Sequence, residues 1–183
     1  RASLGSTAAK SRELGIDNLH LVHADILHVE QLGQRFGLIE SSGVLHHMAD
    51  PLHGLRCLRS VLAVGGFVRL GLYSRLGRSS VHLARRRVVD RGWRPDNDGI
   101  RAFRSHVLAL DDRDPLRDIV RFRDFYSLSE CRDLVFHAHE TDFTIPELRL
   151  LLEGAGLAFE GFECDARLRQ AFEAEHGRSA WRS

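Results

Sequence analysis

The apolar positions of this chain switch between helical and strand spacing along its length. Residues 2–14 mix Ala and Leu with polar residues and stop at Gly15, which predicts a helix ended by a glycine. Leu19-His20-Leu21-Val22-His23 reads as a short strand closing at Ala24-Asp25, and Phe36-Gly37-Leu38-Ile39-Glu40 as a second strand ending in the turn Ser41-Ser42-Gly43. Asp50-Pro51 then supplies a helix N-cap followed by proline at the first helical position. Leu52, Leu55, Leu58 and Leu62 recur at three- and four-residue spacing, so this helix carries one apolar stripe and is predicted to run to Gly65-Gly66. A third strand is predicted from Phe67 to Tyr73, with Val68, Leu70 and Leu72 on one face.

Residues 76–123 are rich in Arg and Asp, with turn signals at Arg94-Pro95-Asp96-Asn97-Asp98-Gly99 and Asp114-Pro115, and read as several short helices. Ser127-Leu128-Ser129-Glu130 has the form of a capping box and opens a helix that turns Leu128, Cys131, Leu134 and Val135 inward. Thr144-Ile145-Pro146-Glu147 is another, opening a helix that stops near Gly154-Ala155-Gly156. Residues 157–163 read as a fourth strand, and the polar tail from Asp165 as a loose helix. Strands alternating with helices of ordinary length predict a parallel α/β sheet, whose ligands sit outside the carboxyl ends of the strands. That directs attention to Asp25, to residues 41–47 and to Tyr73-Ser74.

Composition removes several function classes. With 183 residues, 43% hydrophobic and 28% charged, the chain is an ordinary folded domain. A formal net charge of +1 gives no bulk field for nucleic acid or an anionic membrane, and neither is expected as a partner. Cys57, Cys131 and Cys164 are odd in number and scattered, which suggests neither a disulfide framework nor a zinc knuckle and fits a reducing cytoplasm. No apolar run approaches the roughly 18 residues of a membrane span. The chain opens at Arg1 within what already reads as helix, so it is expected to be part of a longer polypeptide.

Three segments in order resemble class I S-adenosylmethionine (SAM) dependent methyltransferases: residues 21–26 (Leu-Val-His-Ala-Asp-Ile), residues 36–51 through Val44-Leu45-His46-His47, and Leu62-Ala63-Val64-Gly65-Gly66-Phe67. In the last, Ala63 and Val64 stand where the family usually has a basic residue and a proline. Residues 125–163 resemble methyltransferase domains attached to tetratricopeptide repeats in bacterial proteins. The resemblance implies a Rossmann-like sheet lacking its first two strands. It divides the chain into the C-terminal part of a SAM-binding core at residues 1–74, a helical insertion or lid at 75–142, and the last helix–strand unit with the tail at 143–183. The strands that carry the glycine-rich turn and the ribose-binding acid would precede residue 1, leaving this chain marginally stable and a weak SAM binder on its own.

The resemblance implies SAM as cofactor, with Asp25 and the Ile26 backbone at the adenine, and Ser41, Ser42, Gly43 and Val44 close to the methionine portion. As turn chemistry alone, Asp25 is equally a helix N-cap and Ser41-Ser42-Gly43 an ordinary strand-to-helix turn. His46 or His47 is a candidate general base, because imidazole titrates near neutral pH, or a polar wall orienting substrate together with Met48. A metal held by these two histidines and His53 is not expected: neighbouring side chains diverge and no Cys or well-spaced carboxylate completes a set. Tyr73 and Ser74 are candidate substrate contacts. Arg69 reads as pairing with a carboxylate on the covering helix, and Arg85-Arg86-Arg87 as a solvated helix face, with binding of an acidic substrate or an acidic neighbour as the other possibility. His137, His139 and Glu140 read as a solvated helix end, with a reach over the cleft as the other possibility. The acceptor, small molecule or protein, has no recognisable code. Two rivals remain: a dehydrogenase of the nicotinamide-binding type, and a non-catalytic interaction module with the same fold.

Overall fold

The computed structural model describes residues 2–136 and 140–177. Its architecture is mixed α/β, with two small parallel sheets and many helices. Helix α1 (Ala2–Glu13) is followed by an irregular 3₁₀ segment at Ile26–Leu32, strand β1 (Phe36–Ser42), helix α2 (Pro51–Ser60) and strand β2 (Leu62–Gly71). Strand β1 pairs in parallel with β2, from Leu38 opposite Phe67 to Ser42 opposite Gly71, and α2 is the crossover between them. The capping signal at Asp50 is realised: its carboxylate accepts a hydrogen bond from the His53 N–H at 3.0 Å.

The α2 helix stops at Ser60, earlier than the Gly65-Gly66 pair predicts. Arg35 accounts for this stop. Its Nη1 donates to the Ser60 carbonyl at 3.1 Å and to the Leu62 carbonyl at 3.3 Å, while the Phe36 N–H takes the Val61 carbonyl at 2.9 Å. The last-turn carbonyls are thereby satisfied without a glycine cap. Leu62 belongs to β2, and Gly65 at φ +75° absorbs the register jump between the Phe36 and Leu38 pairings.

Two predicted strands are not formed. Residues 19–23 form no regular structure and pair with no strand among the described residues, and Leu19, Leu21 and Val22 stay exposed. Residues 157–163 turn Leu157 and Phe159 inward with strand-like alternation, yet they also pair with nothing among the described residues. A strand is stabilised by its neighbours rather than by its own backbone preference, so an alternating sequence without a neighbour remains an unpaired extended segment. The predicted strand from Phe67 to Tyr73 breaks at Leu72. Beyond it β3 (Tyr73–Ser74) pairs in parallel with β4 (Asp142–Phe143), a contact that the sequence pattern does not announce.

Between β3 and β4 lie α3 (Ser79–Arg91), α4 (Asn97–Leu108), two 3₁₀ segments and α5 (Leu128–Phe136). They enclose their own hydrophobic cluster, built from Val81, Ala84 and Val88 of α3, Ile100, Phe103 and Val107 of α4, and Cys131, Leu134 and Val135 of α5. Phe103 is fully buried and meets Trp93, Phe125 and Phe136 edge to face. Burial pushes the Cys131 thiol up to about 11, so it behaves as a small apolar side chain. The Ser127 cap of α5 is half formed: the Glu130 N–H reaches Ser127 Oγ at 3.5 Å, with no return bond among the described residues.

A second cluster covers one face of the β1–β2 sheet. Leu55 and Leu58 of α2 pack with Leu151 and Leu152 of α6 (Ile145–Gly154), against Ile39, Val68 and Leu70. The α6 capping box is complete: Glu147 Oε2 accepts from the Thr144 N–H at 2.8 Å, and Thr144 Oγ1 accepts from the Glu147 N–H at 3.4 Å. The terminal helix α7 (Ala166–His176) is capped by Asp165 and buries none of its residues. Among the described residues no helix is long and apolar enough to cross a membrane.

Candidate functional site

The carboxyl ends of β1 and β2 bring together most of the residues singled out from the sequence. At the end of β1, Ser41 is buried and its Oγ has no hydrogen-bond partner among the described residues. Gly43 turns the chain at φ +73°, a conformation that a Cβ would strain. Ser42 sits so close to Gly71 of β2 that a Cβ on Gly71 would meet Ser42 Oγ at 2.3 Å. A 3₁₀ turn at Leu45–His47 then anchors Leu45 in the sheet cluster and buries His46 at 1% exposure, leaving Val44 and His47 at the surface. Gly54 on α2 makes room for this turn, since a Cβ there would meet Met48 Sδ at 2.5 Å and Leu45 at 2.9 Å. Met48 is therefore half-buried wall rather than open surface.

His46 stacks on Tyr73, their ring centres 4.0 Å apart and tilted by 36°, and meets His47 edge-on at 4.3 Å. Among the described residues neither ring nitrogen of His46 has a partner with hydrogen-bonding geometry, although the Gly71 backbone lies beside the ring. Burial lowers the His46 pKa below its ordinary value, and the neighbouring His47 lowers it further. Glu140 and the Gly71 backbone oppose the shift without cancelling it. The ring is thus neutral at pH 7, with one nitrogen available to accept a proton.

Behind Tyr73 lies a buried ionic group of Arg78, Arg85 and Glu140, of which the sequence analysis singles out Arg85 and Glu140 but not Arg78. The Arg78 guanidinium stands 3.7 Å from the Tyr73 ring centre and binds Glu140 Oε1 through Nη2 at 2.6 Å. Arg85 holds the other carboxylate oxygen at 2.8 Å and also donates to the Leu134 carbonyl near the end of α5. Burial pushes the Glu140 carboxyl up, but the two guanidiniums outweigh it and hold the group below its usual range. Glu140 is therefore no solvated helix end: its side chain is 3% exposed. Of the Arg85-Arg86-Arg87 run only Arg86 is exposed, so the run is not a solvated face. The Thr141 N–H closes the arrangement by donating to the His46 carbonyl at 2.7 Å. His137 and His139 lie outside the described residues.

Beside this group, Asp142 accepts from Arg75 Nε at 3.0 Å and contacts His82, while Ser74 Oγ accepts from the Gly77 N–H at 3.3 Å. Ser74 thus works as a local turn cap. Asp25 caps the 3₁₀ segment by accepting from the Leu27 N–H at 3.0 Å, the turn role open to it from sequence. Ile26 packs into the sheet cluster. No hydrogen bond or ion pair links Asp25 to the Ser41–Tyr73 group among the described residues. Arg69 pairs not with a covering helix but with Glu40 on β1 at 3.0 Å and with Glu163 at 2.6 Å. Among the described residues no set of three or more His, Cys, Asp or Glu is arranged to hold a metal ion.

A groove of about 1030 Å³ runs along β2 and residues 157–165 and reaches the group around His46 only through Ser42, Gly71 and Leu72. The buried, unpartnered polar atoms of Ser41 and His46 mark the chemistry more directly than this volume does.

No family model matches the chain. It is 32% identical over 154 residues to the uncharacterized protein syc1184_c of Synechococcus sp.. That match covers 80% of this chain and 36% of the relative, so the chain spans little more than a third of the relative's length.

Proposed function

We propose that this chain is part of a class I methyltransferase that uses SAM, with a Rossmann-like sheet of which β1 and β2 are two neighbouring strands. The observation that carries the reading is the convergence, at the carboxyl ends of two parallel strands, of a tight small-residue turn, two buried polar side chains without partners, and the His46–Tyr73 pair. Open parallel sheets take their ligands at this end.

The residues present fit the methyl-donor end of the cofactor. Ser41 offers an unsatisfied hydroxyl, and Ser42 with Gly43 offers backbone that a ligand can approach closely. At the adenine end Asp25 and the Ile26 backbone are the candidates, Asp25 while also serving as a cap. SAM supplies a methyl group on a sulfonium, which transfers by in-line displacement. The protein's own part is positioning and proton handling. His46, neutral at pH 7, accepts the acceptor's proton on Nδ1 or Nε2. Tyr73 covers the imidazole, and Met48 walls the turn on the α2 side. The acceptor remains an oxygen, nitrogen or carbon nucleophile of a small molecule or protein.

Calorimetric titration with SAM tests the reading on residues 1–183 and on the polypeptide extended upstream. Binding by the longer chain with weak or no binding by the shorter one is expected. Absence of binding by both would reject the reading and favour an interaction module, with nicotinamide cofactors tried next.

A further inference from the structure

The three consecutive arginines in the middle of α3 go to different surroundings. Arg85 turns to Glu140, Arg86 is exposed, and Arg87 is half-buried on the opposite flank of the helix, against α4. There Arg87 Nη1 approaches His106 Nε2 at 3.5 Å. A guanidinium only donates, so the imidazole accepts through Nε2 and is neutral in this contact. Arg91, one helical turn beyond Arg87, lies on the same flank and close enough to act on the same ring. Trp93, just past the Gly92 cap of α3, stands beside the imidazole with ring centres 5.3 Å apart, and its other neighbour is the buried Phe103.

This group lacks a counter-ion. Arg85 is met by Glu140 at 2.8 Å, whereas neither Arg87 nor Arg91 forms an ion pair among the described residues. The carboxylate that bears on His106 is Asp114, and it serves as the cap of the following 3₁₀ segment, accepting from the Leu116 N–H at 2.8 Å. Asp112 is taken by Arg117 at 2.8 Å, and Asp90 of α3 points its charge into solvent. Burial lowers the His106 pKa below its ordinary value, and Arg91 and Arg87 lower it further against the opposing pull of Asp114. Two guanidiniums beside a half-buried imidazole repel one another's charge, and the described residues provide nothing to offset that cost.

We infer that Arg87, Arg91 and His106 form a binding site for a phosphate monoester. A monoester dianion has three terminal oxygens, enough to take one guanidinium from each arginine and one N–H from the histidine. A carboxylate, with two oxygens and one charge, is satisfied by a single guanidinium. A phosphodiester has one charge and two free oxygens, so a nucleic-acid backbone matches less well. Trp93 provides an aromatic wall for the group that bears the ester. The site lies on the flank of α3 opposite Arg85, and the inference does not depend on the methyl-transfer reading, because its readouts involve no SAM.

The test is proton NMR of the histidine rings of the 183-residue chain at pH 7.5, titrated with inorganic phosphate. The His106 resonance is assigned by its loss in His106→Gln. A saturable shift with a dissociation constant of about a millimolar or tighter is expected. Bound phosphate should also raise the His106 pKa, because a dianion beside the ring favours the charged form. Arg87→Gln and Arg91→Gln should each weaken binding at least about fivefold. Arg91 is exposed, so its variant keeps the fold and carries the test even if Arg87→Gln unfolds. Acetate and dimethyl phosphate should bind at least about tenfold more weakly than phosphate. O-Phosphoserine and AMP, titrated in parallel, distinguish a phosphorylated side chain from a nucleotide as the source of the monoester, the tighter binder being the source. Absence of a saturable shift, acetate or dimethyl phosphate binding as tightly, or unchanged affinity in Arg91→Gln would each overturn the inference. Weaker binding of both esters than of inorganic phosphate would overturn the assignment to a monoester.

Discussion

Substituting Glu140 by Gln should destabilise the chain more than almost any other single change of equal size. Glu140 contributes one carboxylate to two guanidiniums, and both Arg78 and Glu140 are nearly dry, with side chains 7% and 3% exposed. Gln keeps the shape and one acceptor oxygen but removes the charge, leaving Arg78 buried against the Tyr73 ring with no counter-ion. Removing one partner of a buried pair costs about 3–5 kcal/mol, because the surviving charge stays desolvated. For a chain of this size each kcal/mol moves the thermal midpoint by about 2–4 °C, so a drop of at least roughly 6 °C is expected. Differential scanning calorimetry at pH 7 measures it, with urea titration as a second readout. The double variant Arg78→Met with Glu140→Gln supplies the control: removing both charges should recover part of the loss. The pH dependence has a defined sign. Glu140 is held below its usual value, so its contribution is present above about pH 4.5 and is lost as pH falls through the lower folded value. A Glu140→Gln chain within about 1 kcal/mol of the parent would refute the reasoning, since it would mean the triad is solvated.

Two further substitutions probe the turn beside this triad. His46→Phe keeps the ring against Tyr73 and removes two buried nitrogens that have no partners, so stability at pH 7.5 should hold or rise; urea titration showing a loss above about 2 kcal/mol would contradict that balance. The folded chain holds His46 below 6.5 while the unfolded chain titrates near it, so parental stability should fall as pH drops below 6.5, and this part of the fall should vanish in the variant. Gly71→Ala would press a methyl onto Ser42 Oγ, where 2.3 Å is available, and should cost about 1–3 kcal/mol by thermal melting; a neutral result would show that the two strand ends move apart freely.

The parts of the fold that were legible in the sequence are those with local causes. Asp50-Pro51 and Thr144-Ile145-Pro146-Glu147 start helices through contacts within three residues, and both caps form as predicted. The β1 and β2 segments declare themselves by alternation and by the crossover helix between them. What was not legible depends on neighbours distant in the chain. Residues 19–23 and 157–163 have strand-like sequences, yet no described strand lies beside them to complete a ladder. Arg35 ends α2 from 25 residues away, overriding a glycine pair that looked like the natural stop. Glu140 is 62 residues from Arg78 and 55 from Arg85, so its burial has no local signature. For the candidate site, the Ser41–His47 stretch and Tyr73 were found by their place at strand ends. Arg78 and Thr141, which help hold that stretch in place, were not.

The position of those missed residues bears on how the two hydrophobic clusters communicate. His46 and Tyr73 belong to the sheet side of the molecule, whereas Arg78 and Arg85 flank or belong to the first helix of the cluster formed by α3, α4 and α5. Glu140 and Thr141 lie where the chain returns from that cluster to β4, and both reach the site, one through Arg78 and one through the His46 carbonyl. The seam between the clusters therefore carries ionic and hydrogen-bonded contacts. Such a seam has strict geometry, because each donor must meet one particular acceptor, and a shift of α3 relative to β1 would be felt first at Tyr73 and His46. Within the proposed reading this gives the helical unit a direct hold on the proton acceptor. Selection of the methyl acceptor by that unit then requires no separate device, since whatever moves α3 also sets where the imidazole stands.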